Sequence, residues 1–387
     1  MAGSVPPAGS IPPAAVVGAA QVRSFRVAAQ QLDRTPASRT TDLDECVVLD
    51  LGVQDTGTDG AAWSLANRGF RLAGTDNGSR GSDGPAATAL VWTLRGAPHL
   101  YRRDDLDAVR RGTAPLSEAD AAFRVHAAAK PLRDAGITVL DALERLTDEL
   151  RRLVTAPTGK GEVSGALAQV LEQPYLLDCP GCRATHPYEL PFRLAMLKAG
   201  LELVPGTSPP ELRPLDPAPI PGNRDLDALR QCLRLLGPAT PAQVAGFLDA
   251  PPAEVRRHWP EDTVPVDVDG ERRSILADQL DDLREVPMAH GTKLLDAYDP
   301  FLQARDRELL VADKTRRSRL WSALGRPGAV LHDGAVVGTW RPRASGRSLR
   351  VLVELWDDIP AVRTGIDEQA GRLAEFRGAR LKAVEVS

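Results

Sequence analysis

The segment from Asp225 to Leu276 restricts the possible folds more than any other part of this sequence. A first helix is predicted from leucines at helical spacing: Leu226, Leu229, Leu233 and Leu236. Gly237 ends that helix, Thr240-Pro241 begins a second one, and Pro251-Pro252 begins a third. Alternating valines then lead into Asp269-Gly270, a hairpin-turn sequence. Three short helices followed by a β-hairpin predict a winged helix.

A winged helix favours a DNA partner without establishing one. Such modules bind DNA by placing the third helix in the major groove, although many serve only for packing or protein interaction. Here the third helix carries Arg256 and Arg257, which we interpret as DNA contacts. A solvated charged face is the alternative.

Composition limits any nucleic-acid surface to a local patch. The chain has 387 residues, enough for roughly two to four domains. Its net charge is −4, whereas a protein that coats DNA nonspecifically is usually basic. Nearly all of the 48 basic residues are arginines, which suit bidentate phosphate contacts, although a GC-rich codon usage explains the bias equally well.

Several features indicate a cytoplasmic protein. No apolar run approaches the ~20 residues that a membrane-spanning helix requires. Residues 1–19 are rich in Pro, Gly and Ala and lack a basic start, so we expect a disordered tail and not a signal peptide. Four cysteines are too few for a disulfide scaffold, which favours a reducing compartment.

The C-terminal part of the chain predicts a small antiparallel β unit. Asp333-Gly334 lies between two apolar strands, Ser345-Gly346 marks a second turn, and a helix is expected over Ile366–Phe376. Arginines concentrate around these elements, and we interpret the following as DNA-phosphate contacts: Arg316, Arg317, Arg319, Arg341, Arg343 and Arg347. A solvated sheet edge is the alternative, because edge strands often carry charge.

Cys179-Pro180-Gly181-Cys182, followed by His186, has the best metal-ligand spacing in the sequence. Two thiolates two residues apart suit tetrahedral Zn²⁺, which His186 or Glu189 could help to complete. No fourth ligand is evident, because Cys46 and Cys232 are distant in sequence. A redox pair and a metal-free turn are the alternatives. We expect any zinc here to be structural, and no cofactor to be required.

The candidate catalytic residues lie in Leu51–Gly69. A short apolar run, Val47–Val53, ends in the polar pair Gln54-Asp55 and is followed by two glycines and a helix-like stretch. An amide and a carboxylate at the end of a buried element can hold a water molecule against a substrate. Adjacent strand residues point to opposite faces, so we expect one of the pair to be structural. The structural alternatives are a buried amide for Gln54 and an N-cap or turn residue for Asp55.

Arg95 and His99 belong to a second polar segment. We expect Arg95 to contact DNA, and His99 to contact a phosphate or help hold the water. A structural hydrogen bond is the alternative for His99.

Short segments along the chain occur in a characteristic order. Toward the N-terminus they are Ala28–Gln30, Leu51–Asp55, Leu94–Leu100 and Gly237–Pro241. Toward the C-terminus they are Leu294–Phe301, Asp306-Arg307 and Asp333–Arg341. Together, from about Val22 to Trp356, they resemble the AlkZ/YcaQ-like family of winged-helix DNA-binding proteins. The specificity of this resemblance lies in the series, not in any single motif.

The resemblance implies an α+β fold of tandem winged helices in a C-shaped arrangement on duplex DNA, with a β-rich C-terminal domain. Characterised members are DNA glycosylases acting on bulky alkylated bases and interstrand crosslinks. Double-stranded DNA, alkylated or crosslinked, is therefore the expected partner, with a nucleoid-associated location. We expect a monomer with winged-helix-like domains at 20–115 and 116–215, a third winged helix at 222–287 and the β-rich domain at 290–387.

The family's active motif is Gln, an apolar residue, then Gln or Asp. By register the motif falls on Gly52-Val53-Gln54. Only its second polar residue is therefore present, as Gln54, and Gly52 stands where the first Gln would be. A one-residue shift also lacks the first Gln. The triplet Gln31-Leu32-Asp33 has the spacing but ends the first predicted helix, and we interpret it as a coincidence.

Cleaving the N-glycosidic bond of an alkylated purine involves a cationic, sugar-centred transition state and an incoming water. Gln54 can orient that water, and Asp55 can also stabilise the positive charge. Two other hypotheses remain. One is a non-enzymatic DNA-binding regulator whose active site was lost at Gly52. The other is a protein-interaction scaffold, which would lack salt-dependent DNA affinity.

Overall fold

The computed structural model describes residues 15–34, 40–72, 87–216 and 224–387. The strands, in chain order, are β1 (Ala15–Val17), β2 (Val53–Gln54), β3 (Thr88–Trp92), β4 (Pro98–Arg102), β5 (Thr158–Gly159), β6 (Leu176–Cys179), β7 (Ala184–Pro187), β8 (Leu201–Leu203), β9 (Glu211–Pro214), β10 (Thr263–Val268), β11 (Glu271–Leu276), β12 (Thr292–Leu295), β13 (Gly328–His332), β14 (Ala335–Ser345), β15 (Ser348–Leu355) and β16 (Arg380–Val386).

The helices, in chain order, are α1 (Ala19–Ala29), α2 (Gly60–Asn67), α3 (Leu106–Gly112), α4 (Glu118–Arg124), α5 (Ala129–Asp134), α6 (Val139–Leu153), α7 (Lys160–Val170), α8 (Glu189–Met196), α9 (Ala228–Leu236), α10 (Pro241–Leu248), α11 (Pro252–Arg257), α12 (Leu280–Glu285), α13 (Arg307–Leu310), α14 (Lys314–Leu320) and α15 (Val362–Phe376). This mixture of helices and several sheets confirms the α+β class. Within the described ranges, no helix is both long and apolar enough to cross a membrane.

The segment from Asp225 to Leu276 has the predicted element order. Helices α9, α10 and α11 are followed by the hairpin β10–β11, in which Val268 pairs with Glu271 across the Asp269-Gly270 turn. The Thr240 hydroxyl accepts a hydrogen bond from the Gln243 backbone N–H, and the Gln243 side-chain oxygen accepts one from the Thr240 backbone N–H. This reciprocal capping explains why the second helix begins where the sequence predicted.

The N-terminal strand corrects the expected disordered tail. Ala15–Val17 forms β1, which pairs in parallel with β10 so that Val17 lies opposite Val268. Val17 is buried, and its apolar neighbours extend the hairpin into a three-stranded sheet. Residues 1–14, the remainder of the expected tail, lie outside the described residues. A three-residue strand whose partner is so distant in sequence leaves no local periodicity to detect.

One sheet joins the two segments in which we expected the first and second winged-helix-like domains. Its strand order is β2-β4-β3-β8-β9-β5, so strands from both sides of residue 115 are hydrogen-bonded together. A single hydrophobic core extends from Leu43 to Leu226 on this sheet. The two segments are therefore packed as one layered unit.

The apolar run Val47–Val53 is not the continuous strand that the sequence suggested. Val47–Asp50 is a 3₁₀ helix, and only Val53–Gln54 pairs with β4. Gly52, between them, has a φ of 86°, in the left-handed region that favours glycine. This turn aims Gln54 toward the edge of the sheet.

The C-terminal sheet confirms both predicted turns. Strands β12 to β16 lie in sequence order, with the hairpin turns at Asp333-Gly334 and Ser345-Gly346. Asp333 and Gly334 both have positive φ, as a tight two-residue hairpin turn requires. The expected helix is α15, which begins four residues earlier than predicted, at Val362. The edge strand β16, which pairs in parallel with β15, was not predicted.

Helix α2 docks onto this C-terminal sheet. Trp63 Nε1 and Asn67 Nδ2 both donate to the Leu294 carbonyl, at 2.6 and 3.0 Å. Because α2 follows Gln54-Asp55 directly, this docking brings the candidate catalytic segment against the end of β12.

Candidate active site

Gln54 lies at the end of β2 with a half-buried, oriented amide. Its Nε2 donates to Thr56 Oγ1 at 3.0 Å, and its Oε1 lies 3.4 Å from the donor Arg95 Nη2. Arg95 was predicted to contact DNA, and the structure brings it to the same site. An amide held from both sides has few rotamers available, which suits it to orienting a small ligand such as water.

Asp55 is buried, and its contacts match the structural alternative. Its backbone N–H donates to Pro98 O at 2.8 Å, and its Oδ1 accepts from the Ala61 N–H at 3.2 Å. Ala61 is in the first turn of α2, where backbone N–H groups lack partners within the helix. Asp55 therefore binds the start of the helix, as the expectation of a turn or capping residue anticipated.

Asp296, which the sequence analysis did not single out, occupies the same helix start. It follows β12, and a methyl group placed on Gly60, the first residue of α2, would lie 3.1 Å from Asp296 Oδ2. Asp296 therefore lies beside Gly60, the residue that precedes the Ala61 N–H bound by Asp55. The sequence signal was present, since a carboxylate directly after an apolar strand is the pattern that drew attention to Gln54-Asp55.

The neighbours of Asp296 make it unusual among the local carboxylates. Asp299 is fully buried and ion-paired with Arg68 at 2.8 Å, and Asp59 is paired with Arg377 at 2.6 Å. Asp296 has no ion pair with any basic residue in the described ranges; its Oδ2 accepts from the Tyr298 N–H at 3.0 Å. Burial, followed by the charges of Asp299 and Asp59, raises the pKa of Asp296 to about 6.

Four half-buried arginines extend from Gln54 toward Asp296, and we call them the arginine cluster: Arg95, Arg305, Arg307 and Arg326. None of them forms an ion pair with a carboxylate in the described part of the chain. Burial and the charges of Arg305 and Arg326 lower the pKa of Arg307 to about 10. The buried Nε atoms of Arg305, Arg307 and Arg326 have no hydrogen-bond partner among the described residues. Such crowded positive charge is poised to receive an anion.

Aromatic rings and a backbone carbonyl contact the guanidinium groups of the arginine cluster. Arg95 donates to Phe247 O at 2.6 Å and lies over the Phe247 ring, 4.9 Å from its centroid. Arg326 lies 4.6 Å from the Tyr298 ring centroid, in the segment that begins with Asp296. These contacts fix guanidinium groups without neutralising them.

His99 lies on β4 behind Gln54 and is fully enclosed. Its Nδ1 is 2.9 Å from Ala97 O and 3.1 Å from Thr93 Oγ1. Burial and the charge of Arg95 lower the pKa of His99 to about 3, so the ring is neutral near pH 7. These contacts match the structural alternative for His99.

Gly52 is required by its surroundings. A methyl group placed on it would lie 2.3 Å from Tyr101 Cζ, and the Tyr101 hydroxyl donates to Leu51 O at 3.2 Å. The position of the family's first Gln is therefore filled here by the Tyr101 ring. A Gly52→Gln change cannot restore a motif residue without displacing that ring.

The predicted basic patches differ in how much of their charge is free. On α14, Arg316 pairs with Asp357 at 2.9 Å and Arg319 with Glu354 at 3.0 Å, and Arg317 lies 3.5 Å from Glu308. The exposed arginines of the β14–β15 hairpin have no ion-pair partner among the described residues: Arg341, Arg343 and Arg347. The hairpin is thus the less compensated of the two patches.

On α11, Arg256 and Arg257 are both exposed. Arg257 pairs with Glu254 one turn earlier, and Arg256 has no carboxylate partner in the described ranges. Among the described residues, Arg256 is therefore the one cation of this helix without a carboxylate partner.

The predicted metal ligands also come together. The ligand atoms of Cys179, Cys182 and His186 all lie within 4.8 Å of one another on the β6–β7 hairpin. Hydrogen bonds from the Cys182 backbone and from His186 lower the pKa of the Cys179 thiol to about 7.

The site combines the half-buried amide of Gln54, the carboxylates of Asp55 and Asp296 at the start of α2, and arginines that have no ion-pair partner among the described residues. These groups define an α+β protein that is suited to bind a polyanion and act on it. The profile of the AlkZ-like DNA glycosylase family matches residues 48–376, so the chain belongs to that family. The resemblance inferred from the sequence segments is thereby confirmed. Membership implies a DNA substrate and supports a DNA glycosylase-like function.

A search of solved structures identifies the Streptomyces sahachiroi DNA glycosylase AlkZ as a similar structure. The TM-score is 0.67 at 18% sequence identity, with 96% of this chain and 100% of that chain covered. At this identity the likeness establishes the shared fold. No curated protein matches the chain.

Proposed function

We propose that this protein is a DNA glycosylase that hydrolyses the N-glycosidic bond of bulky alkylated or crosslinked purines in double-stranded DNA. Family membership supports the reaction class. The single observation that carries the mechanism is that Asp296 lies beside Gly60 at the start of α2, next to the Ala61 N–H that Asp55 binds. Gln54 directly precedes Asp55 and contacts Arg95 of the arginine cluster.

The chemistry divides among these side chains. An alkylated purine is already a good leaving group, so the protein must chiefly position water and stabilise a cationic sugar. Gln54 orients the water. Asp296, whose pKa of about 6 leaves it mostly ionised at neutral pH, stabilises the positive charge and accepts the water's proton. Asp55 holds the start of α2, and His99 supports β4 from behind.

The arginine cluster binds DNA phosphates next to these side chains. The guanidinium groups of Arg95, Arg307 and Arg326 lie over aromatic rings. None of the four arginines has a carboxylate partner in the described ranges, so a phosphate would supply the missing charge. The free arginines of the β14–β15 hairpin and Arg256 on α11 make outer contacts. In this arrangement α9–β11 acts as a winged helix, and the protein works as a monomer clamped on the duplex.

Base release from alkylated duplex DNA tests the proposal directly. Purified protein is incubated in excess over a duplex carrying one bulky N7-alkylpurine, and abasic sites are counted by alkaline strand cleavage. We expect Asp296→Asn to lower the single-turnover rate by about 10²-fold or more. Gln54→Ala should also slow release while leaving DNA affinity unchanged. Gln173→Ala and Asp281→Asn, exposed and distant, are the matched controls.

A non-enzymatic DNA-binding protein is the second candidate, and Gly52 is the observation that favours it. The Tyr101 ring occupies the space where the family's first Gln would extend. This candidate requires salt-dependent affinity for DNA together with no base release from any alkylated duplex. Wild-type base release that disappears in Asp296→Asn would exclude it.

A further inference from the structure

The β6–β7 hairpin carries a cluster that the proposed reaction does not use. Cys179 ends β6, Cys182 lies in the turn, and His186 is on β7 opposite Leu177. Their three ligand atoms lie within 4.8 Å of one another. We propose that these residues bind a zinc ion, with solvent as the fourth ligand.

The spacing is close to that of a loaded site. Zn–S bonds of about 2.3 Å and Zn–N bonds of about 2.0 Å place tetrahedral ligands roughly 3.5 Å apart. The three atoms therefore need to approach by an ångström or so, which rotation of the exposed Cys182 side chain can provide. The backbone already has the required path, since Arg183 adopts a left-handed φ of 52° directly after the second cysteine.

The surrounding hydrogen bonds orient the ligands for a metal. The Cys182 backbone N–H donates to Cys179 Sγ at 3.4 Å, which stabilises negative charge on that sulfur. His186 Nδ1 lies 2.8 Å from Pro187 O and donates there, so Nε2 is the ring nitrogen turned toward Cys179, and the ion would replace the hydrogen bond between these two side chains. Metal-bound histidines generally have their other ring nitrogen fixed in this way.

The ligand types favour zinc, and no described residue is placed to supply a fourth ligand. Two thiolates and an imidazole favour zinc over magnesium or calcium, which prefer oxygen. Glu189 is held by Lys160 at 2.7 Å and Arg193 at 2.5 Å. Cys46 and Cys232 are buried in two other hydrophobic cores. The remaining position faces solvent, because Cys182 is exposed.

A zinc ion here would stiffen the support of the active site. Helix α8 begins three residues after His186, and Arg193 on that helix donates to Gly96 O at 2.9 Å. Gly96 follows Arg95, whose guanidinium reaches Gln54. The metal would therefore fix the β6–β7 hairpin, which is linked through Arg193 and Gly96 to Arg95 and Gln54. It takes no part in the reaction.

Metal content and cobalt substitution test the site. Full-length protein prepared with zinc and a phosphine reductant should contain about one equivalent of zinc per chain by mass spectrometry. Co²⁺ in its place should give visible d–d bands and a thiolate-to-cobalt charge-transfer band. Cys179→Ser, Cys182→Ser and His186→Ala should each lose most of the bound zinc. Asp178→Ala is the matched control, since it removes the Thr185 hydrogen bond across the same hairpin without removing a ligand.

Two outcomes would overturn the proposal. One is wild-type protein that stays zinc-free and gives no tetrahedral cobalt spectrum after reduction, whatever the variants do. The other is zinc content that falls equally in Asp178→Ala and the ligand variants, which would show dependence on hairpin stability alone. Base release does not enter this test, so its result is independent of the proposed reaction.

Discussion

Replacing Asp296 with Asn should make the protein more stable at neutral pH while disabling it. The carboxylate lies against the start of α2, near Asp299 and Asp59, with no ion-pair partner among the described residues. Folding moves it from water to a site that disfavours its charged form. An amide of the same shape keeps the hydrogen bond from the Tyr298 N–H and removes the buried charge.

The magnitude follows from the raised pKa. Burial raises the pKa of Asp296 from 3.8 to about 6, so between these values the folded protein binds more protons than the unfolded chain. Stability therefore falls as pH rises through this window, by at most about 1.4 kcal/mol per pH unit. The full penalty above pH 6 is roughly 3 kcal/mol as an upper limit. Because Asp296 keeps some contact with solvent, we expect a gain of about 1–2 kcal/mol for Asp296→Asn.

Urea denaturation of both proteins from about pH 4 to about pH 8 measures this difference. The two unfolding free energies should agree near pH 4, separate between pH 4 and 6, and stay parallel above. Taking the difference cancels the titration of groups that the two proteins share. Asp281→Asn, on the exposed α12, should give no pH-dependent difference.

A variant less stable than wild type at pH 7, or a difference that does not vary with pH, would refute this reasoning. Wild-type base release should also rise with pH through about 6, as Asp296 ionises. A residual activity in Asp296→Asn should lack that rise. A variant that gains stability and loses activity is expected when the original side chain destabilises the folded protein but is needed for its function.

Two further predictions concern the arginine cluster and the turn before Gln54. Arg305→Ala should reduce the slope of log affinity against log salt by about 0.9, the loss of one phosphate contact, in fluorescence titrations with duplex DNA. Arg133→Ala, exposed on α5, should leave that slope unchanged. Gly52→Ala should cost about 2–4 kcal/mol in urea unfolding, because its new methyl would meet Tyr101 at 2.3 Å. Gly57→Ala, with a similar φ and nothing within 4 Å, should cost only about 1–2 kcal/mol.

Local sequence signals predicted the elements that local interactions determine. The turns at Asp269-Gly270 and Asp333-Gly334 and the capping of α10 by Thr240 all occur where the sequence placed them. Each depends on residues within a few positions of one another, so spacing alone reveals it.

Pairings between segments that are distant in sequence were not predicted, because no local pattern encodes them. Strand β1 joins β10 across most of the chain length, and the sheet uniting β2 to β9 crosses the expected domain boundary. Asp296 has a local signal, a carboxylate directly after an apolar strand, but that signal does not show that it lies beside α2. Its importance comes from α2 docking onto β12 through Trp63 and Asn67, a contact between segments more than two hundred residues apart. The buried Asp306, which pairs with Arg26 at 2.8 Å, is tied to its partner in the same way.

The empty first position of the family motif therefore has a different meaning in the folded protein than in the sequence. Gly52 is bare because its left-handed φ and the Tyr101 ring leave no space for a side chain. Gln54 is contacted instead by Arg95, and Asp296 lies beside Gly60 at the start of the helix that follows Gln54-Asp55. A motif confined to consecutive residues cannot record such a substitution, because its members now lie on three separate segments. On the proposed mechanism, Asp296→Asn is the substitution that tests glycosylase activity, because a side chain added at Gly52 would meet the Tyr101 ring before it probed the reaction.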